Sequence, residues 1–126
     1  MIVGLGTDIV EVSRIEALLA RRGQAFAQRI LAPQELAELD QQQSPVRYLA
    51  KRFAAKEAAL KALGTGLRNG LSWQDLCIGH DTLGKPLLNL QGGALKLFSQ
   101  LGATHSHISL SDEQHYVVAL VILERS

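Results

Sequence analysis

The stretch from Pro45 to Leu63 constrains this chain more than any other. It reads PVRYLAKRFAAKEAALKAL, and six of its nineteen residues are alanine, the best helix former. Ser44 followed by Pro45 has the form of an N-cap and first-turn pair, and Gly64 follows as a stop. The spacing therefore predicts one long helix over 45–63. With Leu49 at the origin and about 100° per residue, Phe53, Leu60 and Leu63 fall close to it and form an apolar stripe. Lys56 falls inside that stripe. Glu57 and Lys61 lie one turn apart on one shoulder, Arg52 lies on the other, and Ala54, Ala55, Ala58 and Ala62 make the opposite arc. A helix that must pack against the rest of the chain thus carries charge on and beside its apolar face.

Ordinary roles exist for each of these charges. Glu57 and Lys61 form an i,i+4 pair, worth about 0.3–0.5 kcal/mol on a helix surface. Lys56 can bury its stem and send its ammonium to water. Neither role explains why an acid, several bases and a Gly-x-Gly end share one helix. Between Val46 and Gly70 stand Arg47, Lys51, Arg52, Lys56, Lys61 and Arg68 against Glu57 alone. That segment carries +5 in a chain of net +1, so the remainder carries −4. Such a concentration suits a solvated face or a polyanion site. A helix C-terminus repels phosphate, so an anion here depends on side-chain cations such as Lys61, Arg52 and Arg68. The GTG at 64–66 lets a ligand approach the backbone. Asp8, after the two glycines of GLGTD, is a second acid that can join Glu57. Mg²⁺ is typically held by one or two carboxylates together with substrate phosphates and water.

The other elements follow from period and punctuation. IVGLGTDIVEV reads as an N-terminal strand. Ser13 is placed to cap a helix beginning near Arg14 and ending at Gly23. A second helical piece covers Phe26–Leu31, and Pro33 opens a short third helix. SWQDL reads as one turn, CIGHD and LLNL as short strands around TLGKP, and GGALKLFSQLG as a helix with Leu95, Phe98 and Leu101 on one side. HSHISLS and HYVVALVILE alternate as strands of a hairpin turning at Asp112–Gln114. The expected fold is α+β, an antiparallel sheet packed against the long central helix and shorter helices, in a single domain over 1–126. The one cysteine, Cys77, allows no internal disulfide and reads as a small core residue in a reducing compartment. The longest apolar run, Tyr116–Leu123, is too short to span a bilayer, and the N-terminus lacks a basic signal-peptide region. The chain reads as cytoplasmic.

Four segments, in order, resemble a known family. GLGTDIVEVSRIE at 4–16 is similar to the opening motif of the 4′-phosphopantetheinyl transferases. FAAKEAALKALGTG at 53–66 resembles their F-x-x-K-E-x-x-x-K signature. GKP at 84–86 and HISLSDE at 107–113 resemble two further segments, and the length matches the small class of the family. The resemblance implies transfer of phosphopantetheine from coenzyme A to a serine of an apo acyl carrier protein, for fatty acid synthesis. It implies Asp8 and Glu57 as Mg²⁺ ligands. Arg52, Lys61, Gly64, Thr65, Gly66, Lys85, Pro86 and His105 would contact coenzyme A. Lys56 would position the transferred phosphate or assist proton transfer. Positioning ranks first, because an ammonium is no base unless its pKa is much lowered. The serine proton would pass to Glu57 or to a metal-bound water. Arg14 and Arg21, two turns apart on one face of the first helix, would dock the acidic carrier. A homotrimer with shared active sites is also implied. One departure stands out: many members carry histidine after the second serine of HISLS, where this chain has Asp112.

Two rival readings make different demands. A coenzyme A-binding module without turnover leaves the Asp8 and Glu57 pair without a purpose. A nucleic-acid-binding domain would use the basic segment, but that segment offers only Tyr48 and Phe53 as aromatic platforms, and Phe53 lies on the apolar stripe.

Overall fold

The computed structural model describes residues 1–68 and 70–126. Strand β1 (Ile2–Glu11) leads into α1 (Val12–Arg22), α2 (Gln24–Ile30), α3 (Pro33–Leu39) and the long α4 (Pro45–Leu63). A 3₁₀ turn (Trp73–Asp75) precedes the hairpin β2 (Leu76–His80) and β3 (Pro86–Leu90). Helix α5 (Gly92–Gln100) and the strands β4 (His105–Asp112) and β5 (Tyr116–Glu124) follow. The antiparallel sheet runs β1-β5-β4, and β2-β3 forms a separate two-stranded ribbon. The α+β expectation holds.

Helix α4 spans the predicted residues. Pro45 opens it, and Gly64 ends it in the left-handed region at φ 90°, where the Gly64 N–H donates to Leu60 O. Ser44 precedes it, but its side chain makes no capping bond. The helix is buried on both arcs, not on one stripe alone. The leucine side packs on α2 and the 3₁₀ turn, where Phe53 stacks on Trp73 at 5.6 Å and meets Phe26 at 6.2 Å. The alanine arc is buried as well: Ala54, Ala55 and Ala58 have no exposed surface. It lies on the sheet so closely that a Cβ at Gly6 would stand 2.7 Å from Ala62 N. The glycines of GLGTD are therefore a landing strip for the backbone of α4.

Four sequence expectations are corrected. Helix α1 begins at Val12, two residues before Arg14, and Ser13 Oγ donates to Glu11 Oε1 at 2.6 Å instead of capping. Strand β2 begins at Leu76 and takes in no Asp81. On α5 it is Ala94 that is buried, with Leu97, Phe98 and Leu101 against the core, while Leu95 is 46% exposed. The β4–β5 turn sits one residue later than expected, because Asp112 still pairs with Val117. Among the described residues no helix is long and apolar enough to cross a membrane.

Register fixes the two faces of the main sheet. Val10, Val117, Ala119 and Val121 face α4 and are fully buried. On the other face Leu5 pairs with Ile122, Thr7 with Leu120 and Ile9 with Val118. Leu5 and Ile9 are each about 60% exposed, at 59% and 62%. One side of this sheet is thus apolar and uncovered within the chain.

Candidate active site

Strand β1 and helix α4 bring Asp8, Glu57 and Lys61 together. Asp8 follows Gly4 and Gly6 on the helix-facing side of β1, which places it against the shoulder of α4. Lys61 Nζ donates to Asp8 Oδ1 at 3.1 Å and to Thr7 O at 2.9 Å. The expected Glu57–Lys61 helix pair is thus replaced by a cross-element pair of Lys61 with Asp8. Burial pushes the Glu57 carboxyl above its ordinary range, and the neighbouring Asp8 carboxylate pushes it further, while Lys61 and Arg14 pull it back. Two carboxylates whose charges repel form a cation site in waiting. Among the described residues no three His, Cys, Asp or Glu side chains gather as metal ligands. The donor set is therefore two hard oxygen donors, which fits Mg²⁺ when substrate phosphate and water complete the shell.

A cavity of about 520 Å³ opens beside this pair. Its walls are Glu57, Lys61, Gly64, Gly66 and the apolar side chains of Leu60, Leu67 and Trp73. Gly66 is left-handed at φ 63°, and nothing lies within 4 Å of a Cβ built on it, so the turn presents bare backbone. Thr65 sits between the two glycines, its hydroxyl 3.3 Å from Gly66 O. Arg14 is exposed on α1 and close enough to lower the Glu57 pKa; Arg21 is exposed two turns further along that helix.

Lys56 is elsewhere. Its side chain has no exposed surface, so it does not snorkel. Its Nζ donates to Glu35 Oε1 at 2.6 Å, to Ile30 O at 2.7 Å and to Trp73 O at 3.2 Å. Its three donors are all engaged by oxygens of the protein. Desolvation lowers its pKa, against the opposing pull of Glu35. Glu35 is the hub that sequence reasoning missed. Its carboxylate also accepts the N–H of Ala32 at 2.8 Å and of Ile78 at 3.0 Å, joining α3, α4 and β2. The only local signal was an acid two residues after a helix-opening proline, a first-turn pattern.

Arg52 lines a second cavity of about 610 Å³ with Arg47, Lys51, His80, Pro86 and Asp112. Its guanidinium is 4.4 Å above the Tyr48 ring, and its side chain is only 4% exposed. Glu35 and Glu38 each stand 3.7 Å away, too far for a hydrogen bond, and Nε has no partner. The guanidinium is thus paired at long range with two carboxylates and keeps an unsatisfied Nε. The Tyr48 hydroxyl donates to Glu38 at 2.7 Å, and burial raises its pKa above the ordinary phenol range. Burial and Arg52 hold His80 below the usual imidazole range. Lys85 lies in the β2–β3 turn beside Pro86, and His105 is exposed at the start of β4 with Nδ1 2.9 Å from the Thr104 hydroxyl. His105 and His107 share the uncovered sheet face, where His107 contacts Glu124 at 3.0 Å and lowers its pKa. Cys77 is a buried core residue, its thiol pKa raised by burial. Within one chain, then, Asp8, Glu57, Lys61, Gly64 and Gly66 share one site, while Arg52 and Pro86 belong to another.

The sequence profile of the 4′-phosphopantetheinyl transferase superfamily matches residues 4–121. The chain belongs to that superfamily. It is an enzyme of the phosphopantetheinyl transferase class, as the motifs imply. A holo-[acyl-carrier-protein] synthase of Vibrio cholerae serotype O1 is 58% identical over 125 residues, 99% of each chain. The crystal structure of holo-[acyl-carrier-protein] synthase from Neisseria meningitidis superposes with a TM-score of 0.92 at 52% identity, covering 99% of this chain and 100% of that one. The synthase from Bacillus anthracis, solved in complex with CoA (3′,5′-ADP), matches with a TM-score of 0.83 at 36% identity, covering 100% of this phosphopantetheinyl transferase and 99% of that chain.

Proposed function

We propose that this chain, as one domain over 1–126, transfers the 4′-phosphopantetheine of coenzyme A to a serine hydroxyl of an apo acyl carrier protein. The observation that carries the reading is the meeting of Asp8, Glu57 and Lys61 beside a glycine-walled cavity, in a chain of this family. The serine oxygen attacks the pantetheine-side phosphorus of the pyrophosphate. The bond from that phosphorus to the bridging oxygen breaks, and adenosine 3′,5′-bisphosphate leaves with the electron pair. The serine proton passes to the Glu57 carboxylate or to water as the oxygen–phosphorus bond forms.

Charge has to be neutralised on the phosphate oxygens, and the reacting groups held in line. Asp8 and Glu57 would hold Mg²⁺, which would supply that neutralisation when bound. Lys61 adds an ammonium on the same side and keeps Asp8 oriented. The Gly64–Thr65–Gly66 turn lets the cofactor lie against backbone. Lys56 acts through others: by holding Glu35 and the Trp73 carbonyl it fixes a wall of the cavity. It is a positioning residue.

Arg52, Lys85, Pro86 and His105 contact coenzyme A from a neighbouring subunit of a homotrimer. Two observations support this. The Arg52 cavity and the Glu57 cavity are separate within one chain. The outer sheet face offers Leu5, Ile9, Leu120 and Ile122 for burial between copies. Arg14 and Arg21, on the helix beside Glu57, receive the acidic carrier. The enzyme works in the cytoplasm and serves fatty acid synthesis.

The test mixes the protein with coenzyme A, Mg²⁺ and an apo acyl carrier protein and weighs the carrier by intact mass spectrometry, with EDTA in a parallel reaction. A phosphopantetheine mass gain that EDTA abolishes is expected. Coenzyme A binding without any mass gain on several carriers would replace this reading with a binding module.

A further inference from the structure

Among the described residues, Asp112 is the only acid on the walls of the Arg52 cavity. It terminates β4, and its two carboxylate oxygens are shared between two cations of α4. Oδ1 accepts from Arg47 Nη1, and Oδ2 stands 3.1 Å from Lys51 Nζ. Arg47 and Lys51 are one helical turn apart, so both reach the same carboxylate. Arg52, the third cation of the cavity, takes no part in this pairing; it stands 3.7 Å from Glu35 and from Glu38, and its Nε has no hydrogen-bond partner. Arg47 does not need Asp112 to stay in place, because it also donates to Glu113 O at 2.7 Å and Gln114 O at 2.9 Å.

We propose that Asp112 is a built-in competitor for the anionic group that the Arg52 cavity receives, and that it thereby sets how tightly this enzyme holds its donor. The inference rests on the reading that a coenzyme A phosphate lies against Arg52. The three cations on the walls carry +3 without Asp112 and +2 with it, while Glu35 and Glu38 stand behind Arg52 at 3.7 Å and reduce the field further. A terminal phosphate carries close to two negative charges at neutral pH. With Asp112 in place the charge on the walls does not exceed that of the phosphate. Without it, Lys51 is free for phosphate and the charge of Arg47 is uncompensated where its backbone bonds hold it, and the donor and its nucleotide product, which share that phosphate, are both held more tightly. The tuning is electrostatic, and it weakens as salt rises. Asp112 is therefore an affinity-setting residue and not a catalytic one.

The test is a binding measurement, with coenzyme A and adenosine 3′,5′-bisphosphate as the probes, by calorimetry without Mg²⁺ across a salt series. Asp112→Asn is expected to tighten both about fivefold at low salt, the effect of releasing two partly exposed ion pairs. The dependence of the Kd on salt should steepen at the same time. A double-mutant cycle with Lys51→Met separates this from a structural role. Lys51→Met should weaken binding little when Asp112 is present, because that lysine is already neutralised, and severalfold more in the Asp112→Asn background. Unchanged or weaker binding in a folded Asp112→Asn, or strict additivity in the cycle, overturns the inference. If Asp112→Asn fails to fold, Asp112→Ser enters the same cycle. No binding of either probe by the wild-type protein would instead remove the proposed function itself.

Discussion

Glu57 and Lys56 are neighbours in sequence and point about 100° apart on α4, with opposite consequences. Glu57 faces Asp8 and the cavity, and its pKa is raised by burial and by that second carboxylate. A carboxyl raised by folding keeps its proton longer in the folded state than in the unfolded one. Stability is therefore full below the ordinary glutamate range and is lost as pH rises through the raised pKa. Glu57→Gln should abolish carrier modification while raising the neutral-pH Tm and flattening that pH dependence. Calorimetry on the metal-free protein from acid to neutral pH, beside the mass assay, checks both; retained turnover removes the ligand assignment. Lys56 faces inward and matches Glu35 in a pair with no exposed surface on either side. Removing one member of such a pair typically costs about 3–5 kcal/mol, because the other charge stays buried. Lys56→Met should lose stability on that scale in denaturant titration, and an unchanged unfolding midpoint would show that Glu35 is satisfied without it.

At the scale of elements, the closest packing is α4 on β1. The small residues of the alanine arc and Gly4 and Gly6 of β1 let two backbones meet. A methyl at Gly6 would enter the backbone of Ala58 and Ala62, which cannot move without shifting the whole helix. Gly6→Ala should destabilise by more than about 3 kcal/mol, near the tail of point-mutant effects. It should also lower turnover, because Asp8 lies two residues on and would be carried away from Lys61. Gly84→Ala serves as contrast. No atom lies within 4 Å of its added Cβ, so its cost is confined to the left-handed backbone at φ 89°. Comparable unfolding midpoints for the two variants would refute close packing as the reason for Gly6.

At the scale of the molecule, the sheet has one face against α4 and one face uncovered. Ile9→Glu places a charge in the middle of that apolar face. If the proposed trimer forms through this face, the variant should keep its secondary structure, sediment nearer the monomer and lose activity as the Arg52 cavity of one copy parts from the Glu57 cavity of the next. A wild-type protein that sediments as a monomer at assay concentration contradicts the shared site. Arg14 and Arg21 are both exposed on α1, and Arg14 is near enough to Glu57 to lower its pKa; the proposed carrier docks on them. Arg14→Glu with Arg21→Glu should raise the carrier KM about tenfold or more and reduce its salt dependence, with a smaller effect on coenzyme A. Steady-state kinetics across a salt series measure this.

The sequence by itself determined what depends on near neighbours. Helix α4 was legible to the residue because Pro45 and Gly64 act within a turn of themselves. The strand pair β4–β5 was legible because alternation has a period of two. Asp8, Glu57 and Lys61 were legible as a set because motif and helical spacing selected them, though not their partners. Tertiary structure decided what depends on distance along the chain. Lys61 left its helix neighbour Glu57 for Asp8, 53 residues away. Lys56 found Glu35, 21 residues earlier, in a buried pair that helical spacing could not foresee. The alanine arc carries no pattern that distinguishes a solvent face from a close-packed one; only the glycines opposite it do. Arg52 was assigned to the same ligand as Lys61, yet α4 projects the two into different cavities. Local rules act through the next three or four residues. Charge pairing and backbone contact act through space, and only the folded chain brings their partners within reach.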